Sequence, residues 1–314
     1  MRPSPRTSVV IPSRDYARFL PAAIESVLCQ TDPDLELLVV ENGSTDDSLD
    51  VARRYEQSDS RVRVLELEEP SLPRARNHGM EQARGKYVAY LDADDIWVTD
   101  KLARQRSVLE DRQDVGLVGG LFGSIDTHGS LLSSGRRLFT PIPRRDPLRS
   151  LVRGNSIGTP STVLFRRQIF EQGIRFDESH RHMEDWHFYL QVAALWQLHM
   201  LPTTVAYHRL HDRNLQADHR TMRRQTLQTV EVALEVAQER LGFDATGIAS
   251  LRRSLLATVD EVQARELLKT GAHGCARRLL ARSLRRFPVN PRAAVLLGFA
   301  TLGFLPHAVK RRLR

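Results

Sequence analysis

At 314 residues, 41% of them apolar, the chain can bury a sizeable core and has room for one domain of about 200 residues plus an appendage. Its formal charge of +8 would suit nucleic acid, an anionic membrane surface or phosphorylated substrates, and many of its arginines crowd the last forty residues. No run of about 18 apolar residues occurs, nothing resembles a secretion signal, and Cys29 and Cys275 form neither a disulfide framework nor a zinc pattern. A spanning helix is therefore excluded, and a reducing cytoplasmic setting is expected.

After a short basic arm, residues 8–11 (Ser-Val-Val-Ile, stopped by Pro12) read as a buried strand and residues 19–29 as a helix carrying Leu20, Ile24, Val27 and Leu28. Residues 35–40 form a second buried strand closed by Asn42-Gly43. Ser44 is expected to cap a helix running to about Tyr55, with Asp46 and Asp47 in its first turn. A strand over 61–67, a helix over 72–84, a strand over 87–91 and a helix over 101–111 follow. This alternation, with strands apolar on both faces, predicts a parallel sheet covered by helices, with ligands beyond the carboxyl ends of its strands. The middle is less regular. Strands are expected over 115–124, 131–139, 161–165 and 198–207, with an amphipathic helix over 183–196. From Leu215 the pattern is helical, divided into about four helices at Gly242, Gly271, Gly274 and 288–291. The expected domains are thus 1–214, an α/β domain, and 215–314, an all-α region.

Two polar clusters sit at strand ends. Asp92-Ala93-Asp94-Asp95 puts three carboxylates in four residues, which suits a hard divalent ion with open positions for phosphate oxygens; a solvated acidic turn capping the next helix is the plainer alternative. A glycine turn and helix cap would account for Gly43, Ser44 and Asp46, but not for Glu41 and Asn42 closing a buried strand, where hydrogen bonding to a nucleoside would be natural. Arg74, Arg76 and Asn77 open a helix, and such guanidinium groups can neutralise a diphosphate or lie on a solvated surface. Glu184 and Asp185 are also what a helix's first turn favours on dipole grounds alone. His208 and His211 follow a strand, where loop histidines are commonly plain surface and less often ligands. Gly116, Gly119, Gly120 and Gly123 lack the spacing of a dinucleotide fingerprint or a P-loop.

The order of these pieces resembles family 2 glycosyltransferases of the GT-A fold, over residues 7–213. Val9-Val10-Ile11-Pro12 with Ile24-x-Ser26-Val27-Leu28-x-Gln30 looks like the family's opening strand and helix, and 39–46 (Val-Val-Glu-Asn-Gly-Ser-Thr-Asp) is similar to its Asp-Asp-Gly-Ser block. Ala75-Arg76-Asn77-x-Gly79 and Gly85-Lys86-Tyr87 lead into an Asp-x-Asp motif at Asp92 to Asp94, and Glu184-Asp185-Trp186 matches the acidic pair that holds the family's base. The resemblance implies a GT-A type, mostly parallel sheet flanked by helices, with an all-α C-terminal appendage.

It also implies roles. Pro12, Ser13, Arg14, Asp15, Glu41, Asn42 and Gly43 would line the nucleoside pocket, with Arg74 or Arg76 near the base and diphosphate. Asp92 would face the ribose and metal region, and Asp94 would bind a divalent Mn2+ or Mg2+ ion, with His211 as a further contact to the metal or the diphosphate. Asp185 would be the catalytic base, with Glu184 and Trp186 shaping the sugar and acceptor site. The chemistry implied is inverting transfer of a sugar from a nucleotide diphosphate to a hydroxyl of a glycan or lipid-linked acceptor, in bacterial polysaccharide or lipid-linked glycan assembly. Two departures, Glu41-Asn42 for Asp-Asp and Asp15 for Asn, touch the nucleoside pocket; with a carboxylate kept at Glu41, a UDP or dTDP sugar is expected.

A catalytically silent nucleotide-sugar or glycan-binding module on the same fold is the alternative, against which Asp94 and Asp185 both stand. No aromatic-basic interleaving supports a nucleic-acid partner. Residues 293–305 are apolar but too short to span a bilayer, and Lys310, Arg311, Arg312 and Arg314 follow. They read either as a core helix closing the appendage or as an interfacial helix in peripheral contact with anionic membrane.

Overall fold

The computed structural model describes residues 4–133, 146–180, 182–211 and 219–303. Strand and helix alternate through β1 (Thr7–Ser13), α1 (Leu20–Leu28), β2 (Leu35–Glu41), α2 (Ser48–Ser58), β3 (Val62–Glu66), α3 (Leu72–Gln82), β4 (Tyr87–Tyr90), a short β5 (Ile96–Trp97) and α4 (Lys101–Asp111). Then come β6 (Val115–Ile125), β7 (Leu131–Ser133), α5 (Pro147–Leu151), β8 (Leu164–Arg166), α6 (Gln168–Glu171), α7 (Glu184–Leu195) and β9 (Gln197–Arg209). Four helices close the described chain: α8 (His219–Leu241), α9 (Ala245–Lys269), α10 (His273–Arg286) and α11 (Pro291–Leu302).

Among the described residues the strands form one sheet in the order β3-β2-β1-β4-β8-β6-β9-β5, with β7 paired to β6. The predicted parallel sheet is its β3-β2-β1-β4 end. The remainder is mixed: β8 runs antiparallel to β4 and β6, while β9 pairs parallel to β6 and antiparallel to β5. Every residue of β1 and β2 is buried, as expected where helices cover both faces. Register sets Ser13 level with Glu41, so the polar ends of β1 and β2 emerge together. Helix α3 lies on β1 so closely that a Cβ at Gly79 would sit 2.3 Å from Val10 Cγ1. That approach brings Arg76, one turn earlier, to the end of β4.

Two local expectations shift. The helix expected to follow a Ser44 cap starts at Ser48, because Ser44 is taken by Glu41, whose carboxylate accepts from Ser44 N at 2.5 Å and Oγ at 2.9 Å. Asp46 Oδ1 accepts from Ser48 N at 2.9 Å, and Asp47 takes the N-cap position without a side-chain capping bond. The strand expected over 161–165 begins at Leu164, preceded by a single 3-10 turn at Pro160–Thr162. Of the strand expected over 131–139, residues 131–133 are extended, and the rest lies outside the described residues.

The chain folds as two compact units, one of residues 1–151 with 155–216 and one of 152–154 with 217–314. In the helical unit Asp260, fully buried on α9, accepts from Arg223 of α8 at 2.9 Å and from Arg282 and Arg286 of α10 at 2.7 and 2.6 Å. One carboxylate thereby ties three helices. Helix α11 buries Ala293, Leu296 and Ala300 against Ala264, Leu268, Ala276 and Leu280, which makes it a core helix of that unit. The basic tail from Lys310 onward lies outside the described residues.

Candidate active site

The loops leaving β1 and β2 are stitched to each other. Asn42 N donates to Ser13 O at 2.9 Å, Asp15 N to Ser44 Oγ at 3.0 Å and Tyr16 N to Ser48 Oγ at 2.9 Å. Asp15 sits at φ 59°, a left-handed conformation that Asp and Asn tolerate better than most side chains. Its carboxylate accepts from Thr45 N at 2.7 Å, and that bond leads the effects that hold it below its usual range. Glu41 is likewise turned to Ser44, whereas Asn42 Oδ1 accepts from Ser71 N at 2.8 Å. Pro12 and Ser13 are buried in β1, Arg14 is exposed, and Gly43 makes its turn at φ 74°.

Just past β4, the acidic run divides its labour. Asp92 is held by Arg76 Nη2 and by Thr159 Oγ1, each at 2.8 Å. Asp95, fully buried, accepts from Ser161 Oγ at 2.6 Å and from Arg209 N at 3.1 Å, and lies 2.9 Å from His208 Nδ1. Burial alone would lower His208, but Asp95 outweighs it and raises the imidazole to about 9. Asp94 Oδ2 lies 2.9 Å from His211 Nε2, with both side chains under a tenth exposed. The His211 ring packs 5.1 Å from Phe19 and 6.0 Å from Tyr16. Burial, then the charge of Asp94, raises the Tyr16 phenol.

Arg76 joins this run to α7. Its side chain is 2% exposed; Nη1 donates to Glu184 Oε1 and Nη2 to Asp92 Oδ1, both at 2.8 Å, and its guanidinium lies 5.3 Å from the Phe176 ring centroid. Burial would push such a group down, but Asp92 and Glu184 together hold it above its usual value. Next to Glu184, Asp185 Oδ1 accepts from Trp186 N at 2.7 Å and Oδ2 from Asn155 Nδ2 at 2.8 Å. Enclosure is the main cause that raises Asp185, to about 7; the charge of Glu184 adds to it and Arg76 opposes it. A carboxyl so tuned can take a proton near neutrality.

The structure thus gathers Asp92, Asp94, Arg76, Glu184, Asp185 and His211 through direct contacts or chain adjacency. Arg74 belongs to a different surface: it pairs with Glu69 and Glu178 at 2.6 and 3.2 Å, beside an acidic cavity of about 690 Å3. Trp186 is 4% exposed and donates from Nε1 to Leu151 O at 2.9 Å, so its indole builds the wall behind the site. Asn155, Thr159, Ser161 and Tyr16 also belong to the site, and no motif in the sequence marks them. The hydroxyl run Thr159-Pro160-Ser161-Thr162 was the available signal, though a run of that composition commonly marks a plain turn.

Among the described residues no group of three or more His, Cys, Asp or Glu side chains is arranged to hold an ion. Asp94 and His211 supply two donors, an oxygen and a nitrogen, while each Asp92 oxygen already accepts one hydrogen bond, from Arg76 and from Thr159. Such a pair fits an ion that draws its remaining ligands from a bound diphosphate, as hard divalent ions in phosphate-transfer sites do.

Residues 8–174 match the model of Glycosyl transferase family 2. The chain belongs to that family. An uncharacterized glycosyltransferase of Nostoc sp. is 32% identical over 218 residues, which is 67% of this chain and 66% of the relative. The succinoglycan biosynthesis protein ExoU of Rhizobium meliloti is 28% identical over 257 residues, covering 78% of this chain and 73% of that protein. Among solved structures, S. aureus TarS superposes with a TM-score of 0.61 at 17% identity, over 98% of this chain and 54% of TarS. Its 1–349 portion has been solved with UDP-GlcNAc. The mannosyltransferase PcManGT of Pyrobaculum calidifontis, in complex with GDP-Man and Mn2+, superposes with a TM-score of 0.61 at 20% identity, over 99% of this chain and 85% of that one. At such identities the structural likeness establishes the fold, a GT-A type sheet with flanking helices. The chain spans about two thirds of the Nostoc relative and about half of TarS.

Proposed function

We propose that the protein is an inverting glycosyltransferase that moves a sugar from a nucleoside diphosphate onto an acceptor hydroxyl, with Asp185 as the base. The observation that carries this reading is Arg76, whose guanidinium joins Asp92 of the β4 end to Glu184, the neighbour of Asp185. Donor-side and acceptor-side groups then meet in one network. Asp185 takes the acceptor proton as the hydroxyl oxygen attacks the anomeric carbon, and the diphosphate leaves from the opposite face. Asp94 and His211 would hold a manganese or magnesium ion, which when bound supplies Lewis-acid stabilisation of the leaving diphosphate.

UDP or dTDP sugars remain the expected donors, with Asn42 rather than Glu41 as the base-facing group. Because Asn42 Oδ1 accepts from Ser71 N, its amide nitrogen is left to meet a base carbonyl, which O4 of uracil or thymine supplies and O6 of guanine would supply as well. A thermal-shift series checks both points. UDP or dTDP with manganese should raise the melting temperature, and Asp94→Ala should lose the manganese-dependent part of the rise. A shift with GDP and none with UDP or dTDP would overturn the base assignment; a full manganese effect in Asp94→Ala would overturn the metal assignment.

The acceptor we propose is a glycan or lipid-linked glycan of bacterial polysaccharide assembly, on the strength of the likeness to ExoU. Among the described residues no helix is long and apolar enough to cross a membrane. Residues 219–303 nonetheless carry 14 Lys and Arg against 7 Asp and Glu, and Phe287, Val289, Val295 and Leu302 are exposed in the same unit. A basic surface with apolar side chains favours peripheral contact with anionic lipid at the cytoplasmic face. Salt-sensitive sedimentation with anionic vesicles is the expected result, and equal indifference to anionic and neutral vesicles would remove the membrane role.

A further inference from the structure

Residues 155–162, between α5 and β8, touch three of the site's carboxylates. Asn155 Oδ1 accepts from Gly158 N at 2.8 Å, which fixes the amide's orientation and makes Nδ2 the donor to Asp185 Oδ2. Four residues on, Thr159 Oγ1 donates to Asp92 Oδ2 at 2.8 Å. Ser161 Oγ donates to Asp95 Oδ2 at 2.6 Å and accepts from Asp92 N at 3.1 Å. The segment is itself anchored from behind. Trp97 Nε1 donates to Ser161 O at 2.7 Å, Gln105 Nε2 to Thr162 O at 2.8 Å and the buried Lys101 Nζ to Val163 O at 3.1 Å.

We infer that this segment is a positioning clamp, in which Asn155 fixes the Asp185 carboxylate and Thr159 fixes that of Asp92, so that one short loop sets the two against each other. The inference rests on the reading of Asp185 as the base. Asp92, Glu184 and Asp185 repel one another, and Arg76 compensates Asp92 and Glu184 directly. Asp185 is held differently, its two oxygens accepting from Trp186 N and from Asn155. Each of those oxygens keeps a second lone pair, so the carboxylate is prevented from turning yet can still accept a proton. Thr159 does the same for the second oxygen of Asp92, opposite Arg76. Because both donors belong to one anchored loop, a shift of either carboxylate strains the other's contact.

The test uses the full chain with 13C-labelled aspartate carboxyls, in which the Asp185 resonance is the one missing from Asp185→Asn. Asn155 donates to the charged form, so Asn155→Ala should raise the Asp185 titration midpoint by about one unit. Hydrolysis of a UDP- or dTDP-sugar should fall roughly tenfold or more in kcat, with donor KM unchanged, as expected for a misplaced reacting group. Thr159→Val should also lower kcat, and Thr159→Ser, which keeps the hydroxyl, should restore it. Should Asn155→Ala fail to fold, Asn155→Asp keeps the shape and sets a carboxylate against Asp185, which must also raise the midpoint. An unmoved midpoint in the folded Asn155 variant overturns the clamp, even when Asp185→Asn is inactive and the base reading stands. Full turnover by Asp185→Asn instead overturns the base reading, while the midpoint still reports on the Asn155 contact.

Discussion

Asp185→Asn is expected to lower turnover by about a hundredfold or more while nucleotide binding stays near that of the unaltered protein. The substitution keeps the side chain's shape and can keep the bond from Trp186 N, but the amide cannot take the acceptor's proton. The pH dependence sharpens the expectation. Enclosure, with Glu184 beside it, raises Asp185 to about 7, and the base works only when ionised. Turnover of the unaltered protein should therefore rise with pH through about 7 and level off above it, and the residual rate of Asp185→Asn should lack that limb. Loss of nucleotide binding with a normal rate per bound donor would make Asp185 a donor-site residue instead.

Arg76→Leu should be the most damaging single change to the fold around the site. The guanidinium is enclosed between two carboxylates, and removing it strands both Asp92 and Glu184. Breaking a buried ion pair from one side costs about 3–5 kcal/mol, so the variant should unfold at distinctly lower denaturant. Arg76→Lys keeps the charge but lacks the fork that spans two acceptors, and should recover only part of the loss. Denaturation midpoints for both variants equal to that of the unaltered protein would mean that Arg76 is not the link between β4 and α7.

Much of this arrangement was legible in the residues because short-range physics dictates it. Short, largely apolar runs such as 8–11 and 35–40, each bounded by turn residues, favour buried strands, and the polar residues that end them then emerge at the sheet's carboxyl edge. What could not be read depended on partners distant in the chain. Arg74 and Arg76 are equivalent by composition, yet α3 turns one toward Glu69 and Glu178 and the other into the site. Ser44 has the chemistry of a helix cap, but a carboxylate three residues earlier claims it. Asn155 and Thr159 lie in a plain-looking loop until the fold sets them against Asp185 and Asp92. Gly116, Gly119 and Gly120 have a packing explanation: a Cβ at these positions would lie within 2.6 Å of Trp196, Met200 and Val205.

The most direct test of inverting transfer needs no knowledge of the acceptor. When water takes the acceptor's place, the first sugar released by the protein and manganese from a UDP- or dTDP-hexose of α configuration can be read by proton NMR before it mutarotates. Single displacement, with Asp185 activating the attacking oxygen, predicts the β hemiacetal as the initial product and its release about a hundredfold or more slower by Asp185→Asn. An initial α hemiacetal, or release of the β form at an undiminished rate by Asp185→Asn, would contradict it.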